Sequence, residues 1–173
     1  MNLDKENKRA LFIDRDGVFH QLTSRPGRYK APRNWDEVEF NEAISEISKV
    51  RDLGYRLIMI TNQPEIELGL VPKEFVCEVN EYYRRKFCLD GVYFSPYKEP
   101  DHPWRKPNPG MLIQASKDFD LFLKDCFFLG DTSKDVKAAE RAGCSSIIWD
   151  REYNQNIRAQ HRVSSVSQLL EIL

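Results

Sequence analysis

The chain has 173 residues, which gives room for one domain with a real core and excludes a second large one. Its 26 Lys and Arg stand against 27 Asp and Glu, a balance that argues against both a nucleic-acid coat and an acidic tail. No apolar run approaches the roughly 18 residues of a membrane span, and the opening MNLDKENKR lacks the apolar stretch of a secretory leader, so a soluble, cytoplasmic protein with no membrane partner is expected.

Ala10 to Asp14 reads as a first strand that runs directly into Asp14-Arg15-Asp16-Gly17. Asn41 to Leu53 places Ala43, Ile44, Ile47, Val50 and Leu53 at helical spacing and predicts a helix closed by Gly54. YRLIMIT from Tyr55 reads as a second, apolar strand covered on both faces. Pro72 opens a helix to about Phe87, GVYFS forms a third strand and Pro109 begins another helix. CFFLGD ends a fourth strand at Asp131, a helix follows to Ala142, SSIIW is a fifth strand, and Ser167 to Ile172 forms a last short helix. Strands alternating with helices predict an α/β fold, a doubly wound, Rossmann-like parallel sheet with right-handed crossovers, in one domain over 1–173. Ligands of such sheets sit beyond the carboxyl ends of the strands.

Four cysteines, Cys77, Cys88, Cys126 and Cys144, lie far apart without CxxC spacing and read as reduced, buried thiols.

The strand ends share one chemistry. The first carries Asp14-x-Asp16-Gly17 and the second Thr61-Asn62-Gln63; Arg105-Lys106-Pro107 precedes the helix at Pro109, and Gly130-Asp131-Thr132-Ser133-Lys134-Asp135 follows the fourth strand. Carboxylates, a hydroxyl and a lysine around one crevice suit magnesium-dependent phosphoryl transfer. Magnesium takes hard oxygen ligands, and a carboxylate can attack phosphorus, splitting a slow hydrolysis into two displacements. Asp14 is the candidate nucleophile and Asp16 the acid and base, while Thr61 and Lys106 would hold phosphoryl oxygens. Each piece also has a structural reading: DxDG as an Asx-type turn, Thr132 to Asp135 as a capping box, Thr61 and Lys106 as ordinary boundary residues. Their occurrence together, each at a strand or helix boundary, favours the functional reading. Gly17 is fourth from Asp14, not the sixth position of an EF-hand loop, and no P-loop occurs.

DRDGV, ITNQ, RKPNPGM and GDTSKD together resemble the four motifs of the haloacid dehalogenase superfamily of phosphatases, over about residues 9 to 150. The resemblance implies that fold without a large cap domain. It implies Asp14 as nucleophile and metal ligand, Asp16 as acid/base and metal ligand through its carbonyl, and Thr61 and Lys106 as phosphate binders. Asp131 would be a metal ligand supported by Asp135, and Mg2+ the cofactor. FIDRDGV, TNQ and RKPNPGML are similar to the branch containing D-glycero-D-manno-heptose 1,7-bisphosphate and histidinol-phosphate phosphatases, from which Asn62 and Arg105 carry over as substrate contacts.

That branch commonly holds zinc in a loop before the lysine. Here the four ligand places fall on Ser95, Tyr97, His102 and Trp104, of which only His102 is a zinc ligand, so no zinc is expected. The segment SRPGRYKAPRN, Ser24 to Asn34, has Arg25, Arg28, Lys30 and Arg33 and no acid; it reads either as a solvated loop or as an attractor for an anionic substrate. His20 has a minor claim to substrate contact, while His161 and Lys134 read as surface residues. The expected activity is a phosphomonoesterase on a small phosphorylated metabolite, foremost heptose 1,7-bisphosphate at its anomeric-side phosphate. Histidinol phosphate is the alternative within the class, and a nucleic-acid 3'-phosphate end is less favoured because the net charge is near zero.

Overall fold

The computed structural model describes residues 8–26 and 28–173; most of the opening segment read for a leader therefore lies outside the described residues. Among the described residues eight strands appear in chain order: β1 Arg9–Ile13, β2 Thr23–Arg25, β3 Arg28–Lys30, β4 Tyr55–Asn62, β5 Gly91–Ser95, β6 Phe127–Gly130, β7 Ser145–Trp149 and β8 His161–Val163. Four α-helices follow the same order: α1 Lys73–Lys86, α2 Gly110–Asp118, α3 Ser133–Ala142 and α4 Val166–Ile172. Six strands form one sheet in the order β5-β4-β1-β6-β7-β8, parallel at every pairing. β1 is central and pairs with both β4 and β6, so the chain winds outward from it in two directions and leaves a crevice beyond the carboxyl end of β1.

Alternation along β1 feeds two cores. Leu11 and Ile13 join Val79 and Tyr83 of α1 and Val166 and Leu169 of α4 on one face. Ala10 and Phe12 join Met111, Leu112 and Ala115 of α2 and Ala138 and Ala139 of α3 on the other. Both faces are therefore covered, as the apolar run in the sequence requires.

The sequence differs from the structure in four places. The helix expected over Asn41 to Leu53 is instead two 3-10 segments, Glu42–Ile44 and Ile47–Leu53. Ile44, Ile47 and Val50 are buried at intervals of three, the period of a 3-10 helix, while Ala43 and Leu53 stay exposed. Gly54 does close the segment, at φ 81. The sheet has a sixth strand, β8, whose three residues are too few to leave a periodic signal. Within the basic segment β2 and β3 pair antiparallel, where no strand was read. Finally, only Cys126 and Cys144 are buried; Cys77 lies on the outer face of α1 and Cys88 in the turn after it, both exposed, and all four are free thiols. No helix among the described residues is long and apolar enough to cross a membrane.

Candidate active site

A crevice of about 210 Å³ opens beyond β1, β4 and β6, lined among others by Asp14, Asp16, Asn62, Arg105, Lys106 and Asp131. Asp14 prolongs the strand ladder by one residue, its N–H donating to Leu129 O at 2.9 Å. The Arg15 N–H then donates to Asp14 Oδ1 at 2.7 Å, so the turn reading and the reactive reading describe the same geometry. Gly17 completes the turn at φ +85, and a Cβ there would run into the Asp131 carboxylate and the Tyr153 hydroxyl. Only glycine lets the first motif come this close to the fourth.

Lys106 is buried among carboxylates. Its Nζ stands 2.8 Å from Asp14 Oδ1 and 2.7 Å from Asp135 Oδ1, and donates to Ile60 O at 3.1 Å. Burial alone would depress its pKa, but Asp135 and Asp14 outweigh that and hold it up. Asn62 clamps the lysine's backbone: Nδ2 donates to Lys106 O and Oδ1 accepts from Lys106 N–H, both at 2.9 Å. Asp135 Oδ2 accepts from the Thr132 N–H and hydroxyl at 2.9 and 2.6 Å, which is the expected capping contact at the start of α3. Both oxygens of Asp135 are thereby engaged, one by Lys106 and the other by Thr132.

Asp14, Asp131 and Asp135 each offer an oxygen within 4.8 Å of the others. Burial, resisted by Lys106, pushes Asp14 up to about 7, and burial beside Asp135 and Asp14 raises Asp131 well above the usual carboxylate range. Three acids against one lysine leave an excess of negative charge in a low-dielectric site. Asp131 Oδ1 is buried without a hydrogen-bond partner. A hard divalent cation with oxygen ligands answers both features, so these residues fit magnesium.

Asp16 faces the other way. Its Oδ1 accepts from Arg15 Nη2 at 3.0 Å and from His20 Nε2 at 2.8 Å, and its Oδ2 accepts from Gln63 Nε2 at 2.6 Å and the Thr61 hydroxyl at 3.2 Å. Burial favours the neutral acid, but the Arg15 guanidinium and the His20 bond overcome it and hold Asp16 far below the ordinary range. Since a carboxylate only accepts, His20 Nε2 carries the proton and Nδ1 accepts from the Tyr83 hydroxyl at 2.8 Å. Burial keeps that imidazole neutral. His20 is thus fully buried behind the site rather than in contact with the crevice. Thr61 is likewise fully buried, beneath the crevice floor.

The basic segment is partly neutralised. Arg25 pairs with Glu37 at 2.5 Å and Arg33 with Glu65 at 3.0 Å, acids that lie outside the segment in sequence. Arg28 and Lys30 remain; Arg28 is exposed, and Lys30 joins Arg105 and Lys134 on the crevice wall. None of the three has an acid within salt-bridge distance among the described residues. Partial burial, then Arg105, lowers the Lys134 pKa, with Lys30 contributing, as expected where like charges converge. Lys134, read from sequence as a solvated helix-start residue, is therefore part of the crevice.

Several residues at the site have no role assigned from the sequence. Gln63 holds Asp16, Arg15 is buried against it, and Tyr153 donates to Asp131 Oδ2 at 2.5 Å from beyond β7. The loop from β5 to α2 is built from Tyr97, whose ring stacks on His102 at 3.4 Å, while His102 Nδ1 accepts from the Trp104 N–H at 3.1 Å.

Residues 103–164 match the HAD-hydrolase-like family. The chain is 31% identical to the D-glycero-D-manno-heptose-1,7-bisphosphate 7-phosphatase of Chlorobaculum tepidum, over 91% of this chain and 87% of that protein. It is 34% identical to the D-glycero-alpha-D-manno-heptose-1,7-bisphosphate 7-phosphatase of Burkholderia mallei, over 83% and 82% of the two. Its fold is similar to that of the D,D-heptose 1,7-bisphosphate phosphatase of B. bronchiseptica crystallised with magnesium and phosphate. That match has a TM-score of 0.81 and 20% identity over 95% of this chain and 99% of the other.

Proposed function

Because this chain belongs to the haloacid dehalogenase-like phosphatases, we propose that it hydrolyses a sugar bisphosphate, with D-glycero-D-manno-heptose 1,7-bisphosphate as substrate. The observation that carries the substrate reading is the group of unpaired cations Lys30, Arg105 and Lys134 beside the Asp14–Lys106 pair. One phosphate would meet Asp14, and the second would meet the cations. The relatives are named 7-phosphatases, which moves the reading from the anomeric-side phosphate expected from sequence to the one on C7.

In the first displacement an Asp14 oxygen bonds to phosphorus as the bond from phosphorus to the sugar oxygen breaks, and Asp16 gives that oxygen its proton. In the second, water attacks phosphorus, the bond to Asp14 breaks, and Asp16 takes the proton from water. The structure holds Asp16 as the carboxylate, the form from which the second step starts. Taking up a proton for the first step requires loosening its Arg15 and His20 contacts. Lys106, whose backbone is fixed by Asn62, would bind a phosphoryl oxygen as charge develops. The side chains of Asp14 and Asp131 and the carbonyl of Asp16 would hold magnesium, which would supply positive charge to offset the negative charge of the phosphoryl group and the carboxylates. Thr61 would have to turn its hydroxyl from Asp16 to bind phosphate, and Arg105 would contact substrate.

The test is phosphate release from heptose 1,7-bisphosphate, heptose 7-phosphate, histidinol phosphate and a 3'-phosphorylated DNA end, with magnesium or with EDTA. The expected result is the highest kcat/KM on the bisphosphate and no turnover in EDTA. Preference for histidinol phosphate or the DNA end sinks the substrate reading; turnover in EDTA sinks the metal-assisted one.

A further inference from the structure

The mechanism leaves unused a short segment after β7 that reaches back to the site. Arg151 Nε donates to the carbonyl of Gly17 at 2.8 Å, tying the segment to the turn that carries Asp14 and Asp16. Asn154 Nδ2 donates to the Asp131 carbonyl at 2.9 Å, while Asn154 Oδ1 accepts from the Arg151 N–H and from Arg162 Nη1 of β8, both at 3.0 Å. Between them, the Tyr153 hydroxyl meets Asp131 Oδ2 at 2.5 Å. A carboxylate has no proton to give in its ionised form, so tyrosine is the donor. The other oxygen of Asp131, Oδ1, is buried and unpartnered.

A carboxylate free at both oxygens rotates about its last bond and loses that freedom when it binds a cation. A donor on one oxygen removes this rotation in advance and presents the other in a set direction. The tyrosine ring is held in turn. It packs on Tyr29 of the hairpin, with centroids 4.8 Å apart and planes inclined at 36°. Gly17 allows the hydroxyl to come this close, since a Cβ there would strike both it and Asp131.

We propose that Tyr153 is a positioning residue of the metal centre, locking one oxygen of Asp131 so that the other is presented to a divalent cation, with Tyr29 supporting its ring. This rests on the reading of Asp131 as a metal ligand. It gives the β2–β3 hairpin a mechanical link to the metal centre, in addition to its part in lining the crevice.

The test is magnesium binding by isothermal titration calorimetry on the metal-stripped full chain. Tyr153→Phe keeps the ring and removes the donor, and is expected to weaken magnesium binding by about tenfold or more, the scale for partners of metal ligands. At saturating magnesium kcat stays near wild type, so the loss falls on the metal dissociation constant. Tyr29→Leu keeps the hydroxyl, removes its support, and weakens binding in the same direction by a smaller factor. A dissociation constant within about twofold of wild type in both variants overturns the assignment. Asp131→Asn separates the two readings. If it abolishes binding while the tyrosine variants do not, only the role of Tyr153 fails; if the wild type takes up no magnesium, the ligand reading fails and this inference with it.

Discussion

Lys106 Nζ stands 2.8 Å from Asp14 Oδ1, with the lysine 3% and the aspartate 10% exposed at the side chain, so the candidate nucleophile rests on a buried cation. The same ammonium holds Asp135 at 2.7 Å. Removing one member of such a set leaves uncompensated charge in the interior. Lys106→Met is therefore expected to lower the unfolding free energy of the metal-free protein by about 3–5 kcal/mol. Urea denaturation in EDTA measures it; a loss below about 1 kcal/mol, the scale of an exposed pair, would contradict the buried arrangement.

Asp14 meets Lys106 while Asp16 meets Arg15, His20, Thr61 and Gln63, and the proposed division of labour separates the two experimentally. Asp16→Asn should lower kcat by about 10²- to 10⁴-fold, the usual worth of general acid–base catalysis. With an activated aryl phosphate, whose leaving group needs no proton, the same variant should accumulate phosphorylated protein, because the second displacement lacks its base. Asp14→Asn should give none. Acid-quenched phosphoprotein is the readout, and a phosphorylated Asp14→Asn protein would show the nucleophile to be wrong.

His20 is buried and neutral, and its folded pKa is depressed below the ordinary 6.5 chiefly by burial. Its unfolded form takes a proton first as the pH falls, so its contribution is present above about pH 6.5 and is lost below it. His20→Gln retains an amide donor for Asp16 and does not titrate. The stability advantage of wild type over this variant should shrink by up to about 1.4 kcal/mol per pH unit below 6.5. A pH-independent difference in chemical denaturation between pH 7.5 and 5 would show that the folded imidazole is not held neutral.

Lys134 faces the crevice with Arg105 and Lys30, and Glu65, bound to Arg33, lines the same space. Lys134→Gln should raise KM for a bisphosphate by about tenfold, the worth of one charge-assisted contact, and leave KM for the corresponding 7-phosphate close to wild type. Equal effects on both substrates would remove the lysine from recognition of the second phosphate.

The loop between β5 and α2 is held by ring stacking of Tyr97 on His102 and by Asn108, whose Nδ2 donates to Pro100 O at 3.2 Å and His102 O at 3.1 Å. A single imidazole, with Nδ1 already accepting a backbone N–H, does not make a structural zinc site. Elemental analysis of protein purified without added metal should find no stoichiometric zinc, and one zinc per chain would refute this.

Read along the chain, the residues give the fold class, a parallel sheet of strands alternating with helices, and the strand ends at which the candidate residues stand. Asp14, Thr61, Lys106, Asp131 and Asp135 were legible because each belongs to a short motif at the end of an apolar run, and both motif and run are local in the chain. The α-helices were legible for the same reason, in periodicity and boundary residues. Distance in the chain hid the rest. Glu37 and Glu65 lie beyond the basic segment they partly neutralise, so only folding shows that Arg25 and Arg33 are paired and that Lys30 stands on the crevice wall. Tyr153 reaches Asp131 across 22 residues and Gln63 reaches Asp16 across 47, and no spacing rule links positions so far apart. The direction in which Asp16 points was decided in the tertiary structure too. Two neighbouring carboxylates of one motif shift in opposite directions because Asp14 is buried among acids and one lysine, whereas Asp16 meets Arg15, His20, Thr61 and Gln63 together.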